Sequence, residues 1–271
     1  MEHLLFVWPQ IAEQLKTARH LWLFSDYDGT LTPIVDRPEL AVLPENNKQL
    51  LEKLAYQGKI TIGVISGRAI SELKNLLRVD NMIYAGNHGM EIEGLGIKYQ
   101  YPLSQDVKVL FNMLYRVLDK ALSGIPEVII ENKGLTLSVH YRQVDRNQVE
   151  EVKNIFARTI GGLSAANKVR ITAGKEVLEV RPAIDWNKGK AVKLLMKRAG
   201  NASGKNNVVP IYLGDDLTDE DAFEQTNRYN NGITVFVGNN YQVSKAKYYL
   251  DSPEEVTSFL KLLLELVGEQ T

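Results

Sequence analysis

The chain has 271 residues, 44% hydrophobic and 24% charged, with 20 Gly and 9 Pro. Those proportions exclude a collagen-like, low-complexity or largely disordered chain, and the length allows one large domain or two modest ones. With 32 Lys+Arg against 33 Asp+Glu, there is no general electrostatic reason to expect nucleic acid or an anionic membrane as partner. The absence of cysteine excludes disulfides, a thiol nucleophile and Cys-ligated zinc. His3, His20, His88 and His140 are too scattered for a His-rich metal site. The apolar run Leu4–Trp8 is too short for a signal core and lacks a basic leader. No uninterrupted apolar run reaches the roughly 18 residues needed to cross a bilayer, so the cytoplasm is the expected compartment.

The first twenty residues read as an amphipathic helix with Ile11, Leu15 and Ala18 on one side. The apolar run Leu21–Phe24 then breaks into Ser25-Asp26-Tyr27-Asp28-Gly29-Thr30, as a strand buried on both faces does at its end. The same grammar recurs. A helix over 44–57 precedes an apolar run, Ile60–Ile65, that ends at Ser66-Gly67-Arg68, and Met82–Ala85 runs into Gly86-Asn87-His88-Gly89. Later, Val208–Leu213 leads to Gly214-Asp215-Asp216 and Ile233–Val237 to Gly238-Asn239. Strands and helices alternating in this way predict a doubly wound, Rossmann-like α/β parallel sheet. Ligands of such sheets collect beyond the carboxyl ends of the strands, where every one of these polar clusters lies. A last helix is signalled by Ser252 as N-cap, Pro253, and Glu254 and Glu255 in the first turn.

Residues 95–181 read differently. A helix near 105–122 precedes strands at 128–130 and 135–141, and a second helix (Val149, Val152, Phe156, Ile160) precedes strands at 169–172 and 176–181. Two such units predict an antiparallel sheet with helices on one face and a polar face left available. This segment is read as a cap domain inserted into a core made of 1–94 and 182–271, with hinges near Gly94-Leu95-Gly96 and Pro182.

Asp26 and Asp28 alone could form an ordinary Asx turn. A second acidic cluster after a strand, Asp215-Asp216 with Asp219, Glu220 and Asp221 following, argues for more. Acids in a first helical turn are favoured by about 0.3–1 kcal/mol each, which accounts for Asp219 to Asp221. It accounts less well for Asp215 and Asp216, which the sheet would bring toward Asp26 and Asp28. Carboxylates converging on a cleft repel one another unless a cation or proton intervenes, and an all-oxygen ligand set suits Mg²⁺. Lys188, after a candidate N-cap Asn187, and Ser66 fit an anionic ligand, although a solvated lysine and a plain N-cap serine are the simpler readings of each. Arg68 is either a surface residue or a further anion contact. Jointly these groups describe phosphoryl transfer through an aspartate, with Asp28 as general acid and base.

Asp26-Tyr27-Asp28-Gly29-Thr30, Ser66-Gly67-Arg68, Lys188 and Gly214-Asp215-Asp216 resemble, in order, the four motifs of the haloacid-dehalogenase-like phosphatases. The resemblance implies Asp26 as nucleophile, Asp28 as acid/base, Ser66 and Lys188 as phosphate ligands. It also implies a Mg²⁺ site of Asp26, Asp28 through its backbone carbonyl, and Asp215, with Asp216 acting directly or through water. The stretches 26–35, 86–89, 131–134, 138–142, 179–182 and 214–223 narrow it to the trehalose-6-phosphate phosphatases. That likeness implies sugar contacts from Glu131, Lys133 and Glu179 on the cap, with Arg142, Arg68, Asn87 and His88 as further candidates. An exposed ion pair is the alternative reading of the cap charges.

The expected reaction is Mg²⁺-dependent hydrolysis of trehalose 6-phosphate to trehalose and inorganic phosphate through an aspartyl phosphate. Another glycosyl phosphate, such as glucosyl- or mannosyl-3-phosphoglycerate, is the alternative substrate. A phosphotransferase or mutase, and a non-catalytic sugar-phosphate sensor, are the alternatives in other classes. The expected partner is a small sugar phosphate, with no nucleic acid and no membrane. The sequence is compatible with a monomer and with association with the cognate synthase, and does not fix the oligomeric state.

Overall fold

The computed structural model describes residues 1–203, 207–239 and 243–268, and divides the chain into two compact units: 1–100 with 186–271, and 101–185. In chain order the first part of the larger unit comprises β1 (Glu2–His3), α1 (Trp8–Lys16), β2 (His20–Ser25), α2 (Glu45–Ala55), β3 (Ile60–Ile65), α3 (Ile70–Leu77), β4 (Ile83–Gly86), β5 (Glu91–Gly94) and β6 (Ile97–Gln100). The smaller unit follows as α4 (Gln105–Leu122), β7 (Ile129–Asn132), β8 (Leu137–His140), α5 (Val149–Ala165), β9 (Val169–Gly174) and β10 (Val177–Pro182). The chain then completes the larger unit with α6 (Lys188–Ser203), β11 (Val208–Gly214), α7 (Glu220–Asn227), β12 (Ile233–Val237), β13 (Tyr248–Leu250) and α8 (Pro253–Gly268).

The larger unit holds one sheet in the order β1-β13-β12-β11-β2-β3-β4-β5-β6. Pairing is parallel from β1 to β4 and antiparallel across β4, β5 and β6. From β2 the chain winds outward through β3 and β4. After the insertion it returns to β11 on the other side of β2 and winds out through β12 and β13. The order therefore reverses at β2, and a crevice opens beyond its carboxyl end. Successive residues of β2 feed opposite layers. Leu21 and Leu23 join a core with side chains of α1, α2, α3 and α8, whereas Trp22 and Phe24 join another with α6 and α7. That two-sided burial is why the strand reads as a continuous apolar run.

Two expectations are corrected in this unit. The first twenty residues are not one helix. Pro9 sits in the first turn of α1, where its missing N–H costs nothing, and residues 2–3 instead pair in parallel with β13. The His3 ring holds that pairing by packing edge-on to Tyr249 at 5.0 Å. The second correction concerns Gly94-Leu95-Gly96, expected as a hinge. Gly94 pairs with Ile97, so Leu95 (φ 50°) and Gly96 (φ 75°) form a two-residue hairpin turn. Two consecutive positive φ values match the twist of the flanking strands. The units part at 100/101 rather than 94/95, because this hairpin extends the larger sheet, and at 185/186 rather than 181/182.

The smaller unit is a four-stranded antiparallel sheet, β7-β8-β10-β9. Phe111, Leu114 and Leu118 of α4 and Val152, Phe156 and Ile160 of α5 share one core with Leu137, Val139 and Val180. Ser104 caps α4, its side chain accepting from the Val107 N–H. On the face opposite the helices, the register lines up Glu131, Ser138, Glu179 and Thr172 as a row across all four strands.

Candidate active site

Backbone hydrogen bonds tie the carboxyl end of β2 to that of β11, and the carboxyl end of β3 to that of β4. Asp26 N–H donates to Leu213 O, Ser66 N–H to Ala85 O, His88 N–H to Ser66 O and Asn87 N–H to Arg68 O, at 2.7–2.9 Å. Asn187 caps α6, its Oδ1 accepting from Lys190 N–H at 2.9 Å, so Lys188 enters the site as the first residue of that helix.

Lys188 is the hub. Its Nζ lies 2.7 Å from Asp26 Oδ2 and 2.8 Å from Asp219 Oδ1, and its side chain is 1% exposed. Asp26 also accepts from Tyr27 N–H at 2.7 Å. Asp215 accepts from the Thr30 hydroxyl at 3.3 Å. One carboxylate oxygen from each of Asp26, Asp215 and Asp219 lies within 4.8 Å of the others. Gly29 makes the approach possible: at φ 80° a side chain there would place Cβ 2.1 Å from Asp215 Oδ2.

Electrostatically the site is short of positive charge. Burial pulls the Lys188 ammonium toward neutrality, but Asp219 and Asp26 more than offset this and raise its pKa, so it stays charged. Burial pushes the Asp26 carboxyl well above its ordinary range, opposed by Lys188 and reinforced by Asp219 and Asp215. Asp26 and Asp219 share one ammonium with Asp215 close by; a divalent cation would balance the remaining negative charge, and oxygen donors fit a hard one.

Asp28 lies outside this trio. Arg68 grips its carboxylate in a fork, Nε to Oδ2 and Nη2 to Oδ1, both at 2.7 Å. The same guanidinium bonds Glu72 and donates to Pro38 O at 2.8 Å. It also stands 5.5 Å from the centre of the Tyr27 ring. Ser66 Oγ accepts from Arg68 N–H at 3.2 Å. Asp216, named from the sequence beside Asp215, turns instead into a capping box. Its side chain accepts backbone N–H groups of the following turn, while Asp219 accepts from Asp216 N–H. Asp219, which helix-dipole complementation alone would explain, turns inward to Lys188 and Tyr212. The recurrence of an acid four residues after Asp215 was the available signal.

Asn87 donates to Glu91 Oε2 at 2.8 Å, and His88 is buried in the same loop with φ 57°. In the smaller unit, Glu131 lies 3.2 Å from His140 Nε2 and 3.6 Å from Lys133 Nζ. Glu179 meets Thr172 at 3.4 Å and Arg181 at 3.5 Å. Arg142 is drawn to the β9–β10 turn, where it donates to Glu176 and to Lys175 O.

The doubly wound sheet is a fold shared with haloacid-dehalogenase-like hydrolases of known structure. One from Bacteroides thetaiotaomicron, 16% identical, superposes with a TM-score of 0.59 over 90% of this chain and 99% of its own. The trehalose-phosphatase family profile matches residues 24–254. A probable trehalose-phosphate phosphatase H of Arabidopsis thaliana is 36% identical over 93% of this chain and 74% of its own length. The trehalose-6-phosphate phosphatase C-terminal domain of C. albicans, 26% identical, superposes with a TM-score of 0.80 over 96% of each chain. The chain belongs to the trehalose-phosphatase family and is a phosphoric monoester hydrolase.

Proposed function

We propose that the protein hydrolyses trehalose 6-phosphate to trehalose and inorganic phosphate, with Asp26 as nucleophile. The observation that carries this reading is the buried Asp26–Lys188 contact of 2.7 Å beside Asp215, in a chain of this family. An Asp26 oxygen attacks phosphorus, and the bond to the sugar oxygen breaks. Asp28 gives its proton to the departing alkoxide, which requires it to exchange Arg68 for the substrate. The acyl phosphate on Asp26 then meets water, Asp28 takes the water proton, and phosphate leaves with Asp26 restored. Lys188, and Ser66 with its hydroxyl proton, hold the phosphoryl oxygens.

The carboxylates of Asp26 and Asp215, with the Asp28 carbonyl, would hold Mg²⁺, which supplies charge neutralisation as the anionic nucleophile nears an anionic ester. Glu131, Lys133 and Glu179, on the polar face of an inserted cap domain, are the sugar-recognition residues in this reading. The face presents several fixed polar groups in one row, as a hydroxyl-rich ligand requires. Asn87, His88, Arg142 and Arg68 are secondary contacts. Phosphate release from a panel of sugar phosphates, with and without Mg²⁺, tests the proposal. A dominant, Mg²⁺-dependent rate on trehalose 6-phosphate is expected, and a preference for glucosyl-3-phosphoglycerate would overturn it.

A further inference from the structure

Asp219 accepts four hydrogen bonds from protein donors. A carboxylate offers about four lone-pair positions, and four protein donors meet those of Asp219. Oδ1 accepts from Lys188 Nζ and from the Tyr212 hydroxyl, both at 2.8 Å. Oδ2 accepts from the N–H groups of Asp215 at 3.2 Å and Asp216 at 3.1 Å. A cation bound to Asp219 would have to displace one of these donors inside a fully buried pocket. Tyr212 is itself immobilised: it is wholly buried on β11, and its ring packs edge-on against Phe223 of α7 at 5.6 Å.

We propose that Asp219 is a positioning residue for phosphoryl transfer and not a ligand of the divalent cation, and that Tyr212 fixes it in that role. The inference rests on Asp26 and Lys188 acting as described above. Through Oδ1, Asp219 sets the direction of the Lys188 ammonium, which reaches Asp26 on its other side. Through Oδ2 it gathers the backbone of residues 215 and 216, and so sets the direction in which the Asp215 carboxylate leaves the strand. Tyr212 donates to the same oxygen as Lys188 and shares its load, so the lysine is held at a defined angle.

Two measurements test this. Anomalous diffraction from crystals soaked in Mn²⁺ without substrate should place the ion at a bonding distance of about 2.2 Å from an Asp215 oxygen, with both Asp219 oxygens outside the coordination sphere. An Asp219 oxygen at bonding distance would overturn the proposal. Tyr212→Phe, which removes one donor and keeps the ring, should lower kcat about tenfold with KM changed less than twofold. The loss should be the same on trehalose 6-phosphate and p-nitrophenyl phosphate, because it acts at the phosphoryl group. A lower Tm with unchanged kcat would show that the hydroxyl serves only stability, and would also overturn the proposal. Asp26→Asn separates the two readings. Activity surviving that change would end the covalent mechanism, whereas the position of Mn²⁺ relative to Asp219 is read independently of turnover.

Discussion

The ammonium of Lys188 and the carboxylate of Asp26 meet at 2.7 Å in a site where the lysine side chain is 1% exposed. Their elements, α6 and β2, are separated in sequence by the entire smaller unit. Leaving one partner of a buried pair alone costs about 3–5 kcal/mol. Lys188→Met should therefore lower the unfolding free energy by about 3 kcal/mol and reduce kcat about 1,000-fold. Urea denaturation and steady-state kinetics check the two losses. A variant equally stable and active would show that the contact has no energetic role.

Asp26 gives a pH dependence of definite sign. Burial, then crowding by Asp219 and Asp215, raises its carboxyl well above the ordinary value despite Lys188. Between the ordinary value and the raised one, the folded protein holds a proton that the unfolded chain has released. Stability from this group is present at low pH and falls as pH rises through that window. In EDTA, wild type should lose Tm relative to Asp26→Asn as pH is raised from about 4, and added Mg²⁺ should reduce the loss. Parallel Tm–pH curves for the two proteins would contradict this.

Arg68 holds Asp28 through two parallel hydrogen bonds of 2.7 Å. A lysine cannot reproduce that fork. Arg68→Lys should cost about 1–2 kcal/mol of stability and, with Asp28 exchanging this partner for substrate in the proposed mechanism, alter the pH–rate profile. Thermal unfolding and kcat/KM against pH measure both effects.

Glu131 and Glu179 flank Ser138 in one row across the smaller sheet. Glu131→Ala and Glu179→Ala should each reduce kcat/KM on trehalose 6-phosphate by tenfold or more, about 1.4 kcal/mol of transition-state binding. Hydrolysis of p-nitrophenyl phosphate should change less than threefold. Equal losses on both substrates would remove the sugar-recognition role.

The parallel core was legible because strands buried on both faces write uninterrupted apolar runs, and the polar residues that end them fall at the carboxyl edge. Ile60–Ile65 and Ile233–Val237 are strands over the residues read from sequence. The β5–β6 hairpin was not legible in that way. Its strands are four residues each, and its glycines resemble those of a linker. Among the site residues, Asp26 and Asp215 converge as the strand-end pattern implies, and Lys188 joins them from the first turn of α6. The separate fates of Asp216 and Asp219 depend on how one tight turn directs two side chains, and that is not encoded in residue type. The Asp28–Arg68 fork was hidden for a similar reason, because it joins two loops whose approach only the folded sheet defines.

In the proposed reaction the phosphoryl group passes through the Asp26 side chain. Mixing enzyme with 32P-labelled trehalose 6-phosphate and Mg²⁺, quenching in acid within milliseconds, and reducing with borohydride measures this directly. Protein-bound label is expected at early times, with homoserine at position 26 after reduction, and neither in Asp26→Asn. Full turnover by wild type with no label on the protein at any time, or by Asp26→Asn at the wild-type rate, would contradict it.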